Sequence, residues 1–214
     1  VSRTGPVRSF CTVGPMGHHV VMLTPDGDYD GDTFDGDLSE ARAANARFLE
    51  CTFEGCALTG LTAPRARWSD CVLEGVHGAG VDLAETAWQD CTVRGARLGA
   101  VQLYGAELRR VRFEGCKVEF LNARGARLTD VEFVDCQLVE PDFAEATLTR
   151  VRFDGGRLLT ADFGRAKLKD VDLSTAAVTA PRGVSGLAGA KISRLQLIDL
   201  AEVFAAELDL TVVD

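Results

Sequence analysis

No stretch of eighteen apolar residues occurs in this sequence, so no membrane-spanning helix is expected. The first residues, "VSRTGPVRSFCTVGPMGHHVVML", have no unbroken apolar core, so we expect no secretory signal and a cytoplasmic protein. A basic excess is missing as well. The formal net charge is −9, which argues against direct binding of nucleic acid. Histidine is scarce, with three in 214 residues, and no C-x-x-C pair occurs, so zinc is not expected. No nucleophile, base and orienting residue fall together, and there is no phosphate loop. We therefore expect no enzyme, no metal and no cofactor. What the chain does have is 46% hydrophobic and 26% charged residues, the balance of a globular protein.

Cysteine returns at a fixed interval, in "LECTFEG", "SDCVLEG" and "QDCTVRG", twenty residues apart. The interval belongs to a shorter one. Written in fives from residue 36, the third place is large and apolar: Phe48, Phe53, Leu58, Trp68, Leu73, Leu83, Trp88, and so on to Val178. Two places earlier stands a small residue such as Ala46, Cys51, Cys56, Ala66, Cys71 or Val76. The frame holds from residue 36 to residue 180. A period of five fits neither 3.6 nor 2, so neither a lone helix nor a lone strand explains it. It fits a coil that turns a corner every five residues, with the small and the large residue inward. Glycine recurs at the fifth place, at Gly55, Gly75, Gly95 and Gly115, where a turn with positive φ would put it. Four corners close a square, so one coil takes about twenty residues.

Groups such as "ADFGR" (161–165), "VDLAE" (81–85), "PDFAE" (141–145) and "VRFEG" (111–115) carry the pattern A-(D/N)-L-x-x. The sequence resembles the pentapeptide repeat family over residues 36–180. The resemblance implies an all-β solenoid, a right-handed quadrilateral β-helix. We divide the chain into an N-terminal cap segment (1–35), the array (36–180), and a C-terminal helix and tail (181–214).

The inward columns predict several details. Where the large place holds only Ala63 or Ala123, the small place has grown to Leu61 or Leu121, which conserves volume. Gly78 in the large column reads as space given up to the oversized Trp88 of the same coil. Cys51, Cys71 and Cys91 form one inward stack, and Cys116 and Cys136, with Cys56 below, form another. All six read as small apolar fillers rather than disulfides or metal ligands. "DGDYDGDTFDGD" (26–37) has the spacing of the start of an EF-hand loop. Its twelfth place is Asp37 rather than Glu, and no helix leads in, so a polar turn is the plainer reading and calcium stays open. After residue 181 the frame is lost. "SRLQLIDLAEVFAAEL" (193–208) reads as a helix with a Ser193–Gln196 capping box. Its stripe of Leu197, Ala201, Phe204 and Leu208, widened by Leu200 and Val203 and by Leu195 and Ile198, is broader than a cap needs. Leu197, Leu200, Val203, Phe204 and Leu208 are the expected dimerisation residues.

The family includes the mycobacterial and plasmid-borne quinolone-resistance types. These are dimers joined through C-terminal elements that resemble DNA and bind DNA gyrase or topoisomerase IV. This sequence is most similar to the mycobacterial type, an uninterrupted array followed by a helix. Charge bears on that implication. The face of Phe53, Leu73, Val93 and Phe113, with the corner leading into it, carries Glu50, Glu54, Asp70, Glu74, Asp90, Glu114, Asp130, Glu132, Asp135, Asp154, Asp170 and Asp172. Arg94, Arg110, Arg112, Arg150 and Arg152 oppose these twelve acids. The stripe is the expected partner-binding surface, and solvation of an exposed face is the alternative. The expectation from sequence is a non-enzymatic protein-binding rod that engages gyrase or topoisomerase IV and gives resistance or self-protection. The competing reading is a scaffold for an unrelated protein.

Overall fold

The computed structural model describes Thr12–Val13, His19–Val20 and residues 22–213. The chain winds as an all-parallel solenoid with four sides, each side a ladder of very short strands. We name the sides by their inward residues. The Trp face is an eight-stranded sheet from Asp28–Asp30 to Lys167–Lys169. The Phe face has nine strands, from Thr33–Phe34 to Ala190–Lys191. The Leu face has six, from His77–Gly78 to Ala177–Thr179. The narrow face has three, Val81–Asp82, Val101–Gln102 and Leu121–Asn122, and is continued by isolated bridges.

Strand partners are twenty residues apart through the array, as in Trp68↔Trp88 and Phe113↔Phe133. At both ends the offset drops to nineteen, in Tyr29↔Phe48 and Val171↔Ala190. The ladder therefore starts at Asp28, ahead of residue 36, and reaches Lys191, beyond residue 180. The single-residue slip hides both end coils from a five-residue frame. Strands of two or three residues each are marginal alone; stacking is what stabilises them.

The inward columns are buried and apolar. Cys51, Cys56, Cys71, Cys91, Cys116 and Cys136 are buried and free, and every one donates from Sγ to the carbonyl two residues earlier. Burial pushes the Cys56 thiol up. Cys11 lies outside the described residues. Leu61 and Leu121 are buried beside Ala63 and Ala123, as the exchange of volume requires. Aromatics stack along the axis: Phe48 on Trp68 at 4.1 Å, Trp68 on Trp88 at 4.7 Å, and Phe113, Phe133 and Phe153 at 4.9 and 4.8 Å. Between them an apolar void of about 60 Å³ runs inside the middle coils, lined by Leu and Val side chains among others.

Gly78 departs from the expectation. Its φ is +148°, and a Cβ there would lie 2.6 Å from the Thr59 backbone nitrogen and 2.9 Å from the Leu58 carbonyl carbon. A side chain at 78 would strike the wall of the coil below rather than enter the interior. The glycine answers to backbone geometry and not to the volume of Trp88.

The second place of the repeat explains its preference for Asp and Asn. Asp82, Asn122, Asp142, Asp162 and Asp172 each accept a hydrogen bond from the backbone N–H two residues on, which fixes the turn. The fifth place takes a left-handed φ with or without glycine: Glu50, Asp70, Asp90, Asp130 and Asp170 lie between 52° and 55°.

The C-terminal segment closes the last coil. A 3-10 turn, Val184–Leu187, is followed by two short helices, α1 (Arg194–Asp199) and α2 (Ala201–Glu207), where the sequence predicts one. The Ser193–Gln196 capping box is present. Gln196 also turns its amide inward and donates to the carbonyls of Leu173 and Ala176, each at 2.7 Å. Those carbonyls belong to the open end of the ladder, and a buried carbonyl without a donor is costly.

Candidate partner-binding surface

The twelve acids of the stripe do lie on the Phe face and its leading corner, but they are not equivalent. Residues twenty apart are neighbours on adjacent coils, so an arginine can reach an acid one coil away; Arg94, in register with both Glu74 and Glu114, turns to Glu114. Arg110 donates from Nε and Nη2 to Asp90 at 2.5 and 2.7 Å, and Arg150 does the same to Asp130 at 2.6 and 2.8 Å. Each guanidinium holds its partner's carboxyl below the usual carboxylate range. Glu132 is gripped by Arg112 and by Arg152, the latter at 3.1 Å. Glu114 lies 3.7 Å from Arg94 and 3.4 Å from Arg112, and Asp154 lies 3.6 Å from Arg152. Asp172 is a turn residue: hydrogen bonds from the Ser174 hydroxyl and N–H hold its carboxyl low.

The N-terminal coils differ. Glu50, Glu54, Asp70 and Glu74 make none of the ion pairs among the described residues. All four are exposed. Glu54 and Glu74 are direct register partners, an arrangement that costs stability between like charges. One coil further back, Phe34 pairs with Phe53, which places Asp35 beside Glu54. Asp35 is exposed too. Sequence reasoning missed it because the slipped register put it outside the five-residue frame. Asp135 and Asp170, in the C-terminal half, are unpaired but separated by the arginine ladder. The field of the stripe is thus concentrated at its N-terminal end.

Composition of the corner has a second cause. Asp tolerates a left-handed φ better than most residues, so Asp70, Asp90, Asp130, Asp135 and Asp170 suit the corner on backbone grounds. Glu54 and Glu74 stand on strands and have no such reason to be there.

The other candidate residues fall as follows. Among the described residues no group of three or more His, Cys, Asp or Glu side chains could hold a metal. Residues 26–37 are spread over the first coil: Asp28 and Asp30 lie on the Trp-face strand, and Asp26 accepts from Asn45. Of the expected dimerisation residues, Leu200 is 2% exposed and belongs to the cap. Val203 and Phe204 pack half-buried against the core. Leu197 and Leu208 are exposed, as are Leu195, Ile198, Leu210, Val212 and Val213, so the outward apolar surface of this end is made by those seven. Among the described residues, no helix is long and apolar enough to cross a membrane.

The family described as "Pentapeptide repeat region" matches residues 46–123 and 106–180. The chain belongs to the pentapeptide repeat family. No curated protein matches it. Among solved structures, it is similar to HetL, a pentapeptide repeat protein involved in heterocyst differentiation regulation from the cyanobacterium Nostoc sp. strain PCC 7120. That match has 17% identity and a TM-score of 0.49 over 74% of this chain and 86% of that one. A trypsin-treated form of QnrB1, a plasmid-mediated fluoroquinolone resistance protein, matches at 16% identity and a TM-score of 0.34, over 88% of this chain and 100% of that one.

Proposed function

We propose that this pentapeptide repeat protein is a non-enzymatic, cytoplasmic, protein-binding rod whose acidic surface occupies the DNA-binding groove of DNA gyrase or topoisomerase IV. The outcome would be self-protection or resistance to topoisomerase poisons. One observation carries the reading: Asp35, Glu50, Glu54, Asp70 and Glu74 gather five carboxylates on three successive coils with no ion pair among them. Coils lie ~4.8 Å apart, so the cluster presents a rigid line of negative charge. A groove that grips duplex DNA is lined with basic groups, which such a line attracts. A homodimer formed through the exposed apolar residues of the C-terminal end would place one such line on each arm.

A second reading, a scaffold for an unrelated protein, draws on the arginine ladder. Pairs such as Asp90–Arg110 and Asp130–Arg150 neutralise much of the stripe. A supercoiling assay separates the two. Purified protein should inhibit gyrase or topoisomerase IV, and inhibition should weaken as salt rises. Reversing Glu54, Asp70 and Glu74 together to lysine should abolish it. Reversing Glu40 and Glu140, at corners beside the Leu face, should not. Inactivity of the wild type at tens of micromolar in low salt would leave the scaffold reading.

A further inference from the structure

Three basic residues and two neutral ones form a row on the Leu face. His77, Arg97, Lys117, Gln137 and Arg157 occupy one outward column, in register from coil to coil. All five are exposed, and no acid interrupts the column between them. Arg97 and Lys117 are direct partners, an arrangement that costs stability between like charges. Several arginines elsewhere face an acid one coil away, as in Asp90–Arg110, Asp130–Arg150 and Glu107–Arg127, whereas Arg67 stands between Arg47 and Ala87 with no ion pair among the described residues. Arg97 and Arg157 make none of these pairs, and Lys117 meets only Glu119 of its own strand at 3.0 Å. Beside the basic column runs a second one: Ala79 and Gly99 toward one end, then Glu119, which pairs with Lys117, then half-buried Val139 and Leu159 toward the other. Past Gln137 the wall falls back at Gly156, where a Cβ would lie 2.1 Å from the Cys136 carbonyl oxygen. An open hollow of about 380 Å³ results, bounded by Asp135, Gln137, Gly156, Arg157 and Ala177.

The geometry points to a second docking surface on this face, for an acidic amphipathic α-helix of a protein partner. Pitch selects the helix. Four coil steps from His77 to Arg157 span roughly 19 Å at ~4.8 Å each. Acids on one side of a helix recur every ~5.4 Å, so a helix laid along the column drifts by roughly 2.4 Å in all. Arginine and lysine side chains absorb that drift. Same-face residues of an extended strand recur every ~6.7 Å and drift by roughly 7.6 Å, which they do not absorb. Half-buried Val139 and Leu159 in the neighbouring column give the apolar side of the helix somewhere to lie, and the hollow leaves room for one larger side chain. The α1 and α2 helices of a second copy, with six and seven residues, are too short to run along four coils.

The test uses the full chain and a fluorescein-labelled, capped alanine-based helix of about twenty residues. One peptide carries Glu at i, i+4, i+7, i+11 and i+14 with Leu at i+3 and i+10. An isomer of the same composition scatters the Glu residues around the helix. Anisotropy at low salt should show the striped peptide binding at least tenfold more tightly than the isomer. Arg97→Glu with Arg157→Glu should remove that binding while circular dichroism stays unchanged. Arg67→Glu with Arg109→Glu, on the opposite Trp face, should leave it intact at the same net charge. Equal binding of the isomer, tighter binding of a 20-base-pair duplex, or indifference to the Leu-face reversals would each overturn the proposal. So would self-association of the wild type that those reversals abolish.

Discussion

Trp68 and Trp88 stack with ring centroids 4.7 Å apart and planes 5° from parallel, yet only one of their indole N–H groups has a partner. Trp88 Nε1 donates to the Thr86 hydroxyl at 3.0 Å, and that hydroxyl donates to the Leu83 carbonyl at 2.6 Å. Trp68 Nε1 is buried without an acceptor, because the residue two before it is Ala66. Trp68→Phe should therefore cost less than Trp88→Phe, by about 1 kcal/mol, since one removes an orphan donor and the other a made bond. Ala66→Ser should supply the missing acceptor and raise stability by roughly 0.5–1.5 kcal/mol. Urea unfolding midpoints measure all three. The reverse order for the two Phe variants would mean that the orphan donor carries no penalty.

Gly78→Ala should destabilise the rod by roughly 1–3 kcal/mol, because φ +148° is closed to a side chain and the new Cβ meets backbone. Adding Trp88→Leu should recover none of it, so the two changes should add. Recovery in the double variant would restore the compensation of volume that the sequence implies.

At the C-terminal end, burial separates two kinds of leucine. Ile198→Asp with Leu195→Asp should abolish self-association and leave the β-rich circular dichroism and the melting temperature in place. Leu200→Asp places a charge on a 2% exposed side chain, so it should lower the melting temperature sharply whatever the oligomeric state. Light scattering beside thermal melts checks both. A wild type that is monomeric at micromolar concentration removes the interface.

The six array cysteines should be silent to a thiol reagent in the native protein and react only as it unfolds. Rapid native labelling of several would contradict their burial.

Much of this was legible in the sequence because a solenoid converts spacing into adjacency. The inward columns follow from size at the third and first places. The ion pairs follow too, since Asp90 and Arg110 are one coil apart in number as in space. Glu54 has no arginine twenty residues to either side, which the numbers alone show; Glu74 has one, Arg94, and only the structure shows that this guanidinium turns to Glu114 instead. What the frame could not carry was any break in itself. The nineteen-residue offsets concealed the coil of Tyr29 and Phe34 and with it Asp35. The division of the C-terminal helix at Leu200, and the turn of Gln196 toward the Leu173 and Ala176 carbonyls, depend on how the last coil ends. No periodicity encodes that. Gly78 was misread because a sequence lists side-chain volumes and not the direction of a Cα–Cβ bond.

The void inside the middle coils gives the rod a mechanical character. Its N-terminal end is filled by the Tyr29, Phe48, Trp68 and Trp88 stack, with ring separations of 5.0, 4.1 and 4.7 Å, and large flat side chains in contact resist shear. The coils that line the 60 Å³ space have interior side chains with room to change rotamer. The void reaches the coils of Trp68 and Trp88, so interior packing is loosest from there toward the middle of the rod and tightest around Tyr29 and Phe48.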